Sequence, residues 1–150
     1  EPVFSEVMIL SAPTTSAGIY TYQPDSSYGP QVAEFTYSSN EDNDFTSGIL
    51  SGATRLPNEN LLICDGNSGR FFEINSTNDI VWNYIIPMNN TTGEISSQGD
   101  VLESGNSTFR GIKYSIDYEG FIGKDVTPGD PIESNFKNER SCLGRLNKLQ

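Results

Sequence analysis

The chain has 150 residues, 35% hydrophobic and 11% aromatic, which allows one domain with its own core and excludes a disordered polymer. Nine Lys+Arg against twenty Asp+Glu leave a net charge of −11, so nucleic-acid backbones and anionic membrane surfaces are repelled. Histidine is absent, which removes Ser-His-Asp and Cys-His catalysis and the commonest metal ligand.

Aromatic, β-branched and turn residues dominate, and long Ala/Leu/Glu/Lys blocks are missing, so the pattern is all-β. No run of about 18 apolar residues exists to span a membrane. The start, EPVFSEVMILSAP, has no basic region before its short apolar run and reads as a mature or internal start. In chain order, residues 7–10 form the first expected strand. Residues 18–37, GIYTYQPDSSYGPQVAEFTY, run from a Gly through an aromatic-rich strand and a polar turn to Phe35-Thr36-Tyr37. Residues 51–56 are a strand, and Pro57-Asn58-Glu59-Asn60 a turn. Leu61-Leu62-Ile63-Cys64 is a continuous apolar run, as in a strand buried on both faces. Asp65-Gly66-Asn67-Ser68-Gly69 turns into a strand at 70–74. A polar turn at 75–79 leads to a last strand at 80–84, with Ile80, Trp82 and Tyr84 on one face.

Four short strands in 37 positions (51–87) form a meander, which fits a β-propeller blade or a simple meander in a sandwich or barrel. A repeat favours the propeller. Residues 69–84, GRFFEINSTNDIVWNY, follow the plan of 18–37 at an offset of about fifty and close on Trp82-Asn83-Tyr84. Downstream, 88–107 is a polar surface loop, and 108–115, TFRGIKYS, alternates as a strand. Loop-like sequence follows to 136, and 137–150, with four of the nine basic residues, is a fraying tail or a docking segment. The expected architecture is a single partial β-propeller domain. It has an incomplete blade at about 1–50, lacking its innermost strand, a complete blade at 51–87, and an extra strand. Two blades and a fragment cannot close a ring. Open strand edges must then be covered by other copies of the chain, by blades on another chain, or by the remaining sequence.

SGATRLPNENLLICDGNSGRFFEI and IVWNY resemble the arylsulfotransferase-like β-propellers, secreted or surface proteins of bacteria. The family's phrase is close to S-G-A-x-R-L-P-N-G-N-x-L-I-C-x-G-x-x-G-R-F-F-E-V followed by I-V-W-x-Y. YGP (28–30), DFTSGILSG (44–52) and FRGIKYSIDYEGFIGKDVTPGDPIE (109–133) add to the likeness, which covers about residues 18–133. The resemblance implies carboxy-terminal propeller blades and a secreted, cell-surface or periplasmic location. It also implies sulfate transfer through a catalytic histidine, which no position here can supply. Glu59 stands where the family's turn has Gly.

Other candidate chemistry is sparse. Asp42 and Asp44, in the acidic loop NEDND, offer oxygen ligands for Ca²⁺ without EF-hand spacing; a solvated loop is the plainer reading. Asp42, Asp44, Asp65 and Glu73 are the carboxylates available for glycoside hydrolysis, but their strand positions argue against convergence. Arg55 and Arg70 can fork onto an anionic ligand or cover apolar surface with their stems. Trp82, Phe71 and Phe72 suit sugar stacking or core packing. DGNSG is a hairpin turn and not a phosphate loop. Cys64 and Cys142 are too few and too distant for zinc; they form one disulfide, or Cys64 is an inert core thiol. Asn75, Asn89, Asn90 and Asn106 open Asn-x-Ser/Thr triplets in expected turns, glycan acceptors in a eukaryotic secreted protein and plain hydrophilic turns in a bacterial one. The functional expectation is a non-catalytic extracellular propeller segment acting in binding or assembly. The alternative is a fragment of an aryl-sulfate sulfotransferase-like enzyme whose histidine lies outside this chain.

Overall fold

The computed structural model describes residues 4–38, 45–96 and 105–135. It is all-β in its principal elements. Strands β1 (Glu6–Ile9) and β2 (Phe35–Ser38) pair in one antiparallel sheet. Strands β3 (Ser51–Arg55), β4 (Leu61–Asp65), β5 (Arg70–Ile74) and β6 (Ile80–Ile85) form a second antiparallel sheet in sequential order. A 3₁₀ turn at Glu119–Phe121 and a one-turn helix α1 (Ile132–Asn135) follow.

The four-stranded meander is local because each hairpin turn has residues suited to it. All three turns end on a left-handed residue: Glu59 (φ 67°), Gly69 (φ 60°) and Asn78 (φ 67°). The first and last share a hydrogen-bond plan. Leu56 N donates to Asn60 O and Glu59 N to Leu56 O; Asn75 N donates to Asp79 O and Asn78 N to Asn75 O. A type I turn followed by a left-handed residue matches the twist of paired strands. Gly69 takes this conformation freely and Asn78 readily, whereas Glu59 is strained by its Cβ. Glu59→Gly should therefore raise stability by about 0.5 kcal/mol. The relief of about 1 kcal/mol is offset in part by the exposed Arg55–Glu59 ion pair at 3.2 Å. Urea denaturation would check this, and a loss of stability would show that the ion pair dominates.

Strand register sorts the side chains onto two faces. Leu61, Ile63, Phe72 and Ile74 share one face, with Leu61 opposite Ile74 and Ile63 opposite Phe72. This face packs against Tyr37 and Phe45, with Val7, Ile9 and Phe35 around them, and forms the core. On the opposite face, Cys64 is aligned with Phe71, Phe71 with Tyr84, Leu62 with Glu73, and Glu73 with Trp82. Residues 108–115 cross this second face as an extended strap. Thr108 N donates to Gly66 O at 2.8 Å at one end, and Lys113 reaches the Glu73 carboxylate toward the other. With both faces covered, every residue of β4 is buried, as its apolar run predicts.

Two expectations change. Residues 108–115 have strand-like alternation but join no ladder, because they lie on the face of the sheet and not at its edge. Gly111 permits this crossing: a Cβ there would press on the Phe71 ring. The supposed copy at 18–37 does not repeat the hairpin of 69–84. Only its end forms a strand, β2, which pairs with β1, while Thr14 and Tyr20 make an isolated bridge. Pro24 and Pro30, with Asp25 in the left-handed region (φ 65°), break up the intervening segment. No closed propeller is formed by the described residues.

Candidate binding groove

The strap face holds a buried polar arrangement centred on Glu73. Glu73 is 3% exposed, yet both carboxylate oxygens have donors. Oε1 accepts from Asn60 Nδ2 at 2.7 Å and Asn58 Nδ2 at 3.2 Å; Oε2 accepts from Lys113 Nζ. The hydrogen bond from Lys113 is the main reason the Glu73 carboxyl lies below the usual carboxylate range, with Asn60 and Asn58 adding to it against the opposing effect of burial. Lys113 Nζ also lies 5.5 Å from the Trp82 ring centre. Glu73 and Lys113 together thus tie the strap to β5, to the β3–β4 turn and to β6.

Lys113→Met should cost about 1–2 kcal/mol near neutral pH. It strands a buried carboxylate, but the full penalty of about 3–5 kcal/mol is discounted because the Lys113 side chain is 49% exposed. A lowered folded pKa gives stability that is present above the unfolded value and lost as pH falls through the folded one. The gap between variant and parent should therefore be widest at about pH 7 and shrink at about pH 3. Urea midpoints at the two pH values would check this; a pH-independent gap would remove Glu73 as the cause.

Between β3 and the strap lies a groove of about 580 Å³, lined among others by Thr54, Leu62, Cys64, Phe109, Arg110 and Ile112. Arg110 is exposed, with its guanidinium carbon 5.8 Å from the Phe109 ring centre. Beyond the strap, a smaller apolar space of about 290 Å³ is bordered by Phe71, Trp82 and Ile112. Cys64 is a buried free thiol among the described residues, with Sγ 3.9 Å from Leu50 O. Burial, with the Asp65 charge adding, pushes this thiol up and makes it a weak nucleophile.

The expected site residues do not assemble into one centre. Arg55 and Arg70 lie on the core side, four residues apart along the sheet, about 13 Å. Arg55 pairs with Glu34 at 3.7 Å and Glu59 at 3.2 Å. Arg70 lies over Phe72 at 4.5 Å and donates through Nε to Asn83 Oδ1 at 2.7 Å. Arg55 also contributes to the lining of the large groove. Asp65 and Glu73 alternate onto opposite faces, so they cannot act as a catalytic pair. Asp65 Oδ1 is buried without a hydrogen-bond partner among the described residues.

Phe72 is wholly core, whereas Trp82 is 42% exposed and stacks on Tyr84 at 6.0 Å. Asn106 is buried, its Nδ2 donating to Ser68 O at 2.9 Å and Ile86 O at 3.3 Å, so it is a structural clip and not an open acceptor. Asn75 organises its own turn through bonds to Thr77 and Asp79. Asp42, Asp44 and Cys142 lie outside the described residues. No cluster of three or more His, Cys, Asp or Glu able to hold a metal occurs among the described residues, and no described helix is long and apolar enough to cross a membrane. Arg110 and Lys113 are the groove cations that attention to the strand arginines misses; both sit in the sequence FRGIK (109–113). Comparison with protein-family profiles, curated proteins and solved structures finds no match to this chain.

Proposed function

We propose that the chain is a non-catalytic, propeller-like unit of an extracellular protein that works by association, through the open edges of its four-stranded sheet. The carrying observation is the distribution of large hydrophobic residues. Among the described residues, twenty-one are exposed and nine hydrophobic residues are buried. A self-sufficient domain keeps its apolar patches small, and larger ones mark surfaces meant for contact. Edge strand β3 is exposed throughout, and β6 is exposed over its first four residues. Exposed edges pair readily with added strands. The likeness to arylsulfotransferase-like blades supports the propeller reading, and the absence of histidine supports a non-catalytic one.

Light scattering coupled to size exclusion tests this under reducing conditions. A dimer or larger assembly is expected at micromolar concentration. At net charge −11, copies repel, so the assembled fraction should grow with added salt. A stable monomer at every salt concentration would overturn association between copies.

A further inference from the structure

We propose that the groove beside β3 is a socket for strand β6 of a second copy, which extends the four-stranded sheet and sets its Trp82 against Thr54, next to Arg110. This rests on association through open sheet edges and names which edge meets which.

Hydrogen-bond alternation fixes the pairing. Leu56 N donates to Asn60 O at the β3–β4 turn, so Thr54 and Gly52 bond inward to β4, and the peptide groups of Ala53 and Arg55 aim off the edge. Ile86 N donates to Gly69 O, so Tyr84 and Trp82 bond inward to β5, and the peptide groups of Asn83 aim outward. Asn83 opposite Ala53 is then a bonded pair. It places Trp82 opposite Thr54 and Tyr84 opposite Gly52, and all four belong to the strap face. Within one sheet β3 and β6 run antiparallel, so a copy displaced sideways presents β6 in the direction this pairing needs.

Shape and charge fit the same pairing. On β3 the strap face carries only Gly52 and Thr54, so the groove of about 580 Å³ opens between this strand and Phe109, Arg110 and Ile112. On β6 the same face carries Trp82, 42% exposed and stacked on Tyr84. An edge of small residues thus meets an edge of large aromatic ones. The groove lining includes Arg55, Arg110 and Lys113 and no Asp or Glu, so a second acidic copy is repelled least there. Arg55 and Lys113 have carboxylate partners, whereas Arg110 has none among the described residues. Its guanidinium is therefore available to lie over the incoming indole. Strand β6 itself carries no charge to oppose this.

The two surfaces differ, so the contact is heterologous: each copy offers one β6 plug and one β3 socket. Pairing β3 with β3, or β6 with β6, would set small residues against small or aromatic against aromatic, and would stop at a dimer. Pairing β6 with β3 leaves one plug and one socket open at the ends and goes on adding copies.

The test mixes two variants of the full chain under reducing conditions and reads mass by light scattering. Ala53→Pro blocks the socket, because it removes an outward N–H without costing a bond to β4. Gly52→Leu blocks it a second way, by filling the groove floor where nothing lies within 4 Å of an added Cβ. Trp82→Ala removes the plug. Circular dichroism should show each variant folded. Each alone should need about tenfold or more higher concentration to assemble than the parent. A mixture of Ala53→Pro with Trp82→Ala should form a dimer of one of each and nothing larger, since only one plug and one socket remain. Undiminished assembly of either socket variant alone, or of Trp82→Ala alone, would overturn the proposal, as would a mixture that stays monomeric. A parent that is monomeric at every salt concentration would overturn the broader association reading and this pairing with it, whereas a parent that assembles while the variants also do overturns the pairing alone.

Discussion

Phe72→Ala should destabilise the protein by about 3–5 kcal/mol, a large fraction of the 5–15 kcal/mol typical of a domain. Phe72 is 0% exposed at the centre of the core. Phe45 meets it nearly edge-on at 5.4 Å, Tyr37 lies at 6.2 Å, and Arg70 caps it at 4.5 Å. Truncation removes contacts from both sheets at once. The space cannot collapse easily, because Ile63 and Ile74 are held in the ladder on the same face. Phe72→Leu should cost about 1–1.5 kcal/mol, because it keeps most of the volume. Phe71→Ala should cost less than Phe72→Ala, since Phe71 is half-buried against Gly111 of the strap. The check is the urea midpoint of each variant at unchanged slope. Equal losses for the two phenylalanines would mean that the core is not on the face where register places it.

The contrast between these neighbours shows what the amino-acid sequence carries. The meander from β3 to β6 is legible because strand, turn and strand are encoded within a few residues. Leu61-Leu62-Ile63-Cys64 between PNEN and DGNSG allows little but a doubly covered strand. Its boundaries follow as well: the four strands begin where the pattern starts them and end within one residue of it. Which face holds the core is harder. Phe71 and Phe72 are chemically identical, and only β1, β2 and Phe45, distant in sequence, make Phe72 the buried one. Residues 108–115 mislead for a related reason. Their alternation satisfies the strand pattern, but alternation describes a half-covered extended segment and not its hydrogen-bond partners. Lying flat on a sheet face produces the same pattern as lying at its edge.

The groove was less legible than the fold. Arg55 and Arg70 stand out among strand residues, yet each is drawn into local partners on the core side. In the sequence Glu73 is one of several carboxylates in strand positions; in the fold it is the buried anchor of the strap. Its donors come from Asn58 and Asn60 in a hairpin turn and from Lys113, forty residues away. A turn asparagine already has a sufficient local explanation, so nothing in PNEN advertises a second partner. The strand register, irregular at Glu73/Ile74, is what sets Glu73 beside Trp82, and the presence of Lys113 in an alternating segment is the one hint in the sequence.

Gly66→Ala should be as disruptive as a moderate core truncation, at about 2–4 kcal/mol, although it adds a single methyl. Three segments meet at this residue. A Cβ on Gly66 would overlap the carbonyl oxygens of Leu50, at the entrance to β3, and Thr108, at the start of the strap. Both obstacles are backbone, so no side-chain rotation relieves them. Leu50 is already in the left-handed region at φ 59°. Gly66 O accepts from both Thr108 N at 2.8 Å and Gly69 N at 3.3 Å, so displacement weakens the strap anchor and the hairpin together. Gly52→Ala is the matched control, because nothing lies within 4 Å of its added Cβ and a strand glycine is entropically costly. That variant should be neutral or slightly more stable. The distinguishing readout is amide exchange at Thr108, which should accelerate in Gly66→Ala beyond what global destabilisation explains. If Thr108 keeps its relative protection, the strap is not anchored at this turn. Lys113 and Phe71 would then have to hold it on the sheet, and Lys113→Met would become the more damaging change.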